Sequence, residues 1–153
     1  MSLEIQSAAN FITELIRISN QDISKNTLNR LNSHLVNELQ HKFSHFWHPE
    51  RPYAGSGLRC IRINDRLDNI IDLACKAVGL CPNAIYASLK NKSLILWIDP
   101  GQVSFKIHEE TCILYENDLL PWQPRKTREK KLERGKMRKK KCIEYIKSFL
   151  VNS

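Results

Sequence analysis

At 153 residues, 42% hydrophobic and 26% charged, the chain has the length for one domain with a sizeable core and the composition of a globular protein. No run approaches the ~18–20 consecutive apolar residues of a membrane span, and Glu4 near the N-terminus argues against a cationic secretory leader. The formal charge of +8 is uneven: residues 1–124 hold 12 Lys/Arg against 13 Asp/Glu, a net −1, whereas residues 125–141 hold 11 against 2, a net +9. Any attraction to nucleic acid therefore belongs to that basic stretch alone.

Ile5, Ala8, Ala9, Ile12, Leu15 and Ile16 recur at helical spacing, so residues 3–18 read as an amphipathic helix. Asp22 or Ser24 can cap a second helix, with Leu28, Leu31, Leu35, Leu39, Phe43 and Phe46 as its buried stripe. His48-Pro49 ends it, because a residue before proline is pushed out of the α region. Residues 48–57, with Pro49, Pro52, Gly55 and Gly57, read as a loop, and Leu58–Asn64 as a strand. Asp68 can cap a third helix with the stripe Ile70, Ile71, Ala74, Cys75 and Val78, which Gly79 stops. Pro82 opens a short helix through about Leu89.

Ser93–Asp99 reads as a strand, Asp99-Pro100-Gly101-Gln102 as a turn, and Gln102–Ile107 as the return. Proline followed by glycine suits the centre of a type II turn, whose second central residue needs positive φ. Thr111–Glu116 supplies a last strand. This order predicts a single α+β domain over residues 1–120: a small, mostly antiparallel sheet packed with about four to five helices. Pro121 and Pro124 punctuate its end, and residues 121–153 read as a basic, flexible tail. In that tail Cys142, Ile143, Ile146, Phe149 and Leu150 mark the face of a short amphipathic helix. With Gly135 in the middle of the charged connection, that helix is expected to stand apart from the domain.

Alternation along the strand sends Leu94, Leu96 and Ile98 to the core and Ile95, Trp97 and Asp99 to the other face. A large aromatic beside a carboxylate suits an interface. A helix covering a two-sided sheet would bury the same tryptophan, so parity leaves both readings open. His34, His41, His45 and His48 could share a helix face, but no H-E-x-x-H or cysteine pair completes a metal site, and they read as solvated or capping residues. No Ser-His-Asp or Cys-His order stands out, so no catalytic residue, metal or cofactor is assigned. Five cysteines, an odd set without C-x-x-C, predict reduced thiols.

Two segments carry more. Trp47-His48-Pro49-Glu50-Arg51-Pro52-Tyr53-Ala54-Gly55-Ser56-Gly57-Leu58-Arg59-Cys60-Ile61-Arg62-Ile63-Asn64 resembles box A of the BTG/Tob anti-proliferative family. Leu94-Ile95-Leu96-Trp97-Ile98-Asp99-Pro100-Gly101-Gln102-Val103-Ser104-Phe105 resembles its box B, and the opening Met1-Ser2-Leu3-Glu4-Ile5-Gln6 with Asn10-Phe11-Ile12 resembles the Tob branch. The resemblance spans roughly residues 1–118 and implies a non-enzymatic adaptor. Such an adaptor binds the catalytic deadenylase subunit of the Not-type complex and promotes shortening of messenger-RNA poly(A). It implies deadenylase contacts at Tyr53, Leu58, Trp97, Asp99 and Pro100. Leu58 stands where family members commonly carry Tyr or Phe, Gly101 replaces a usual aromatic, Gln102 a usual glutamate, and Lys90-Asn91 the usual Leu-Pro.

Cys112, Ile113, Leu114, Tyr115 and Glu116 lie in a segment resembling the third box of the BTG branch, which is linked to poly(A)-binding protein; an ordinary core strand explains the same residues. The tail cations Arg125, Lys126, Lys130, Lys131, Arg138, Lys139, Lys140 and Lys141 read as a solvated segment, an import signal or a weak, salt-sensitive RNA contact. An RNA-binding module acting through this tail is the rival to the adaptor. Localisation is expected to be cytoplasmic and nuclear, with no membrane partner.

Overall fold

The computed structural model describes residues 1–89, 93–117 and 144–148. Helix α1 (Ser2–Ser19) buries Ile5, Ala8, Ile12, Leu15 and Ile16, the stripe expected from their spacing. Helix α2 (Lys25–Phe43) begins at Ser24, whose Oγ accepts from the Thr27 N–H at 3.1 Å, so Ser24 and not Asp22 is the cap. Leu28 through Phe43 are buried as expected, but Phe46 is exposed. The helix gives way at Phe43 to a 3₁₀ turn, Ser44–Phe46, whose tighter winding carries Phe46 off the buried stripe.

Strand β1 (Cys60–Ile63) is shorter than expected because Ser56–Leu58 forms a 3₁₀ turn. Helix α3 (Asn69–Ala77) is capped by Asp68, whose Oδ1 accepts from the Ile70 N–H at 3.0 Å, and α4 (Pro82–Ser88) follows with proline in its first turn. Strands β2 (Leu94–Asp99), β3 (Gln102–Ile107) and β4 (Glu110–Glu116) then run as a meander. The sheet has the order β1-β2-β3-β4, each neighbouring pair antiparallel.

One sheet face belongs to the core. Ile61, Leu96, Phe105 and Cys112 lie side by side across the four strands. All four are buried, and α1 packs onto this face, with Phe11 stacked on Phe105 at 4.7 Å. Helices α2 and α3 pack on each other, and α2 packs on α1, which makes a second, helical layer. The opposite sheet face carries Arg62, exposed, and Ile95, Trp97, Ser104 and Lys106, all half-buried.

Residues 144–148 are helical, and Ile146 is 3% exposed within the same core cluster. This part of the tail is therefore docked on the domain, contrary to the expectation that it stands apart. Burying one isoleucine contributes ~1.5–3 kcal/mol. Closing a longer loop costs only ~0.6 kcal/mol per doubling of its length, so a long charged connection does not forbid the contact.

Candidate docking face

The box A loop sits at the end of the sheet where β1 meets β2, and one buried side chain organises it. Arg59 is fully buried, and its guanidinium has five N–H donors in a fixed fork. Nε donates to the Ile98 carbonyl at 3.3 Å. Nη1 donates to the Phe46 carbonyl at 2.6 Å and to that of Ala54 at 2.8 Å. Nη2 donates to the Pro52 carbonyl and to Asp99 Oδ1, the latter at 2.8 Å. The guanidinium also lies over the Trp47 ring, 5.8 Å from its centroid. Its partners thus come from the end of the α2 extension, the loop and β2, which one cation locks together.

Asp99 completes the clamp. Its second oxygen, Oδ2, accepts from Ser56 Oγ at 2.7 Å, so both carboxylate oxygens have partners. Asp99 is 5% exposed and Pro100 is buried. The deadenylase contact that the resemblance implies at Asp99 thus falls on a carboxylate turned into the clamp and away from solvent. Strand parity does send Asp99 and Trp97 to the non-core face, but the loop folds over the Asp99 end of it. The Ile98 N–H donates to the Arg59 carbonyl at 3.0 Å, extending the ladder beyond Cys60 and bringing the loop onto this end of the strand.

What the clamp presents is apolar. Leu58 is 55% exposed on the 3₁₀ turn and Tyr53 is 47% exposed in the loop. Trp97, opposite Cys60 on one side and Ser104 on the other, is half-buried. Tyr53 lies close enough to the clamp to feel it: burial and then the negative charges of Asp99 and Glu116 push its hydroxyl pKa up. Gly55 holds φ +72°, and a side chain there would lie against Arg59 Nη1 and Leu58 Cδ1.

The box B turn has a second support that sequence reasoning missed. Gly101 adopts φ +80°, as the expected type II turn requires, and its N–H donates to Glu4 Oε1 at 2.9 Å. Glu4 is itself buried, and its Oε2 lies 2.8 Å from the N-terminal ammonium. Burial alone would raise its pKa; the hydrogen bonds from the ammonium, Gly101 and its own backbone N–H, with the ammonium's charge, together outweigh that and lower it. A carboxylate in the first turn of a helix reads in sequence as a dipole partner. Its reach to a turn 97 positions away leaves no local signal.

The third-box residues divide. Cys112 is buried; Ile113, Leu114 and Tyr115 are half-buried; Glu116 is exposed and accepts from Gln102 Nε2 at 3.0 Å. Alternation breaks here because Tyr115 pairs with Val103 and Ile113 with Ser104, which leaves Leu114 as the extra residue of a β-bulge. The tail cations from Arg125 to Lys141 lie outside the described residues.

A model described as the BTG family matches residues 1–116, which covers the loop, the clamp and all four strands. The chain belongs to the BTG/Tob anti-proliferative family. Protein BTG2 of Rattus norvegicus is 38% identical over 115 residues, covering 74% of this chain and 72% of the relative. Protein BTG1 of Homo sapiens is 37% identical over the same length, with 74% and 66% covered. Protein Tob1 of Homo sapiens is 37% identical over 120 residues, or 77% of this chain but only 34% of Tob1. Among solved structures, the BTG/Tob domain of C. elegans FOG-3 superposes with a TM-score of 0.66 over 77% of this chain and 92% of that one; at 21% identity it shows the BTG/Tob fold alone.

Proposed function

We infer that this BTG/Tob domain is a non-enzymatic adaptor, which docks the catalytic deadenylase subunit of the Not-type complex and promotes poly(A) shortening. The observation that carries this reading is a preorganised apolar patch. Leu58 and Tyr53 are held out to solvent by a loop whose carbonyls are locked to Arg59, beside the half-open Trp97. A loop rigid before binding avoids much of the ordering cost that association otherwise imposes. In this scheme Leu58, Tyr53 and Trp97 touch the partner, whereas Asp99 and Pro100 shape the surface from beneath. Poly(A)-binding protein at Leu114 and Tyr115 is a second proposed contact, and the protein acts in cytoplasm and nucleus.

The test is capture of the deadenylase subunit by the full chain after RNase treatment, with Trp97→Ala beside the parent. The adaptor reading expects RNase-resistant capture that Trp97→Ala weakens by ~2 kcal/mol or more, the scale of an interface hot spot, with the fold unchanged by circular dichroism. Equal capture by both proteins sinks it. Partners lost on RNase treatment favour instead an RNA-binding module acting through the +9 stretch at 125–141.

A further inference from the structure

On the sheet face opposite α1, the strand register sets side chains in rows. Arg62, Ile95, Lys106 and Thr111 lie side by side across the four strands. The next row on this face is Cys60, Trp97, Ser104 and Ile113, and Asp99, Gln102 and Glu116 follow at the clamp end. Successive rows on one face are two residues apart, or ~7 Å. Arg62 and Lys106 are two strands apart, ~10 Å, one on each side of Ile95.

Charge is divided unevenly over these rows. At the clamp end the acids are satisfied within the protein: Asp99 accepts from Arg59 and Ser56, and Glu116 from Gln102. At the far end the cations are not. Arg62 is exposed, and its guanidinium makes no ion pair among the described residues. It is the Arg62 backbone N–H that donates to Asp68 Oδ2, at 3.4 Å. Lys106 Nζ stands 3.8 Å from Glu109, a side chain that is 98% exposed, and a pair so open to water is weak. Residues 1–124 carry a net −1, so this positive end is a local feature of the face.

We propose that the deadenylase-docking surface continues from the clamp across this sheet face, and that its occupant there is an acidic region of the same nuclease subunit, with apolar atoms on Ile95 and Trp97 and carboxylates on Arg62 and Lys106. The inference rests on the deadenylase reading above and adds to it the partner's charge and two contact residues. Continuity supports it, because Trp97 belongs to the clamp's patch and stands one row from Ile95. Charge complementarity fixes the sign, because the loosely matched charges of the face are positive. A polynucleotide is also negative, but stacking successive bases takes several rings, and Trp97 is the one aromatic in its row and the Arg62 row. Cations around an apolar centre act at a distance, so they speed encounter more than they slow release.

The test is the kinetics of the purified deadenylase subunit binding the full chain between ~0.1 and ~1 M salt, which shortens the Debye length from ~10 to ~3 Å. Arg62→Glu/Lys106→Glu should slow association about tenfold or more at the lower salt and flatten its salt dependence, with dissociation changed far less. Arg62→Gln/Lys106→Gln should fall between that variant and the parent, and it carries the test if melting curves show the double Glu variant unfolded. Lys25→Glu/Arg30→Glu makes the same charge change at exposed positions of α2, in the helical layer; it should leave association within about twofold. Association unchanged by the Arg62 and Lys106 changes, or slowed equally by those on α2, overturns the inference while capture and its dependence on Trp97 stand. A parent that captures no deadenylase subunit brings down both readings. Retention of poly(A) that the Arg62 and Lys106 changes abolish, with nuclease association unaltered, would assign the face to RNA and overturn the protein occupant.

Discussion

The clamp at the box A loop and the seam between α1 and β4 are both built by residues distant in sequence, but on opposite chemistry. At the clamp, five directional N–H bonds tie Arg59 to the carbonyls of Phe46, Pro52, Ala54 and Ile98 and to Asp99, the last of them also an ion pair. At the seam, Ile146 packs into the apolar core cluster, and apolar contact has no preferred direction. A loop without regular structure acquires one shape at the first site because every donor has a defined acceptor. The second site, lined by Leu3, Phe11, Leu15, Leu114 and Ile146, rests on apolar surfaces that fix no single geometry. The contrast separates a site of one defined geometry from one held by apolar packing, which sets no direction.

The strongest blow to that contrast is Arg59→Met. It leaves Asp99 buried beside Ser56 with its cation gone, and breaking a buried pair typically costs ~3–5 kcal/mol. Chemical denaturation should show a loss of that size, with exchange of the 50–58 amides rising most. A loss below about 1 kcal/mol would mean the clamp behaves as a surface pair and the contrast is misdrawn. Ile146→Ala comes next: deletion of a buried isoleucine to alanine costs ~2–5 kcal/mol, and a short peripheral segment places it near 2. Calorimetry of the full chain reads this, and an unchanged Tm would detach the C-terminal segment from the core.

Glu4→Gln is expected to cost ~1.5 kcal/mol, the scale of a hydrogen bond to a charged group. The pH dependence has a definite sign. The folded pKa of Glu4 is lowered from its ordinary 4.5, so its stabilisation is full above 4.5 and is lost as pH falls through the folded value. Stability curves of parent and Glu4→Gln should therefore converge in acid and separate above that range; parallel curves would remove Glu4 from the account of the turn. The smallest effect on stability is that of Leu58→Tyr, within ~0.5 kcal/mol for an exposed position. It should hold or raise deadenylase affinity, since an aromatic adds contact area and a hydroxyl, whereas Leu58→Asp should abolish capture. Capture unaffected by Leu58→Asp would take the 3₁₀ turn out of the interface.

Periodicity and punctuation determined most of the architecture from sequence alone. The stripe from Leu28 to Phe43, the Asp68 cap, the Pro82 start and the Pro100-Gly101 turn are local signals, each set by residues a few positions apart. The box motifs placed Tyr53, Leu58 and Trp97 on one candidate face by resemblance. What the sequence could not carry were the contacts across long separations. Arg59 reads as one more surface cation until five carbonyl and carboxylate oxygens converge on it. Glu4 reads as a helix-start acid until Gly101 is brought to it. Asp99 keeps its strand parity and is buried all the same, because parity orients a side chain and only the overlying loop decides whether water reaches it. Ile146 shows the same division: its helical spacing was legible, but whether that face meets solvent or the α1–β4 seam depends on surfaces that exist only once the domain has folded.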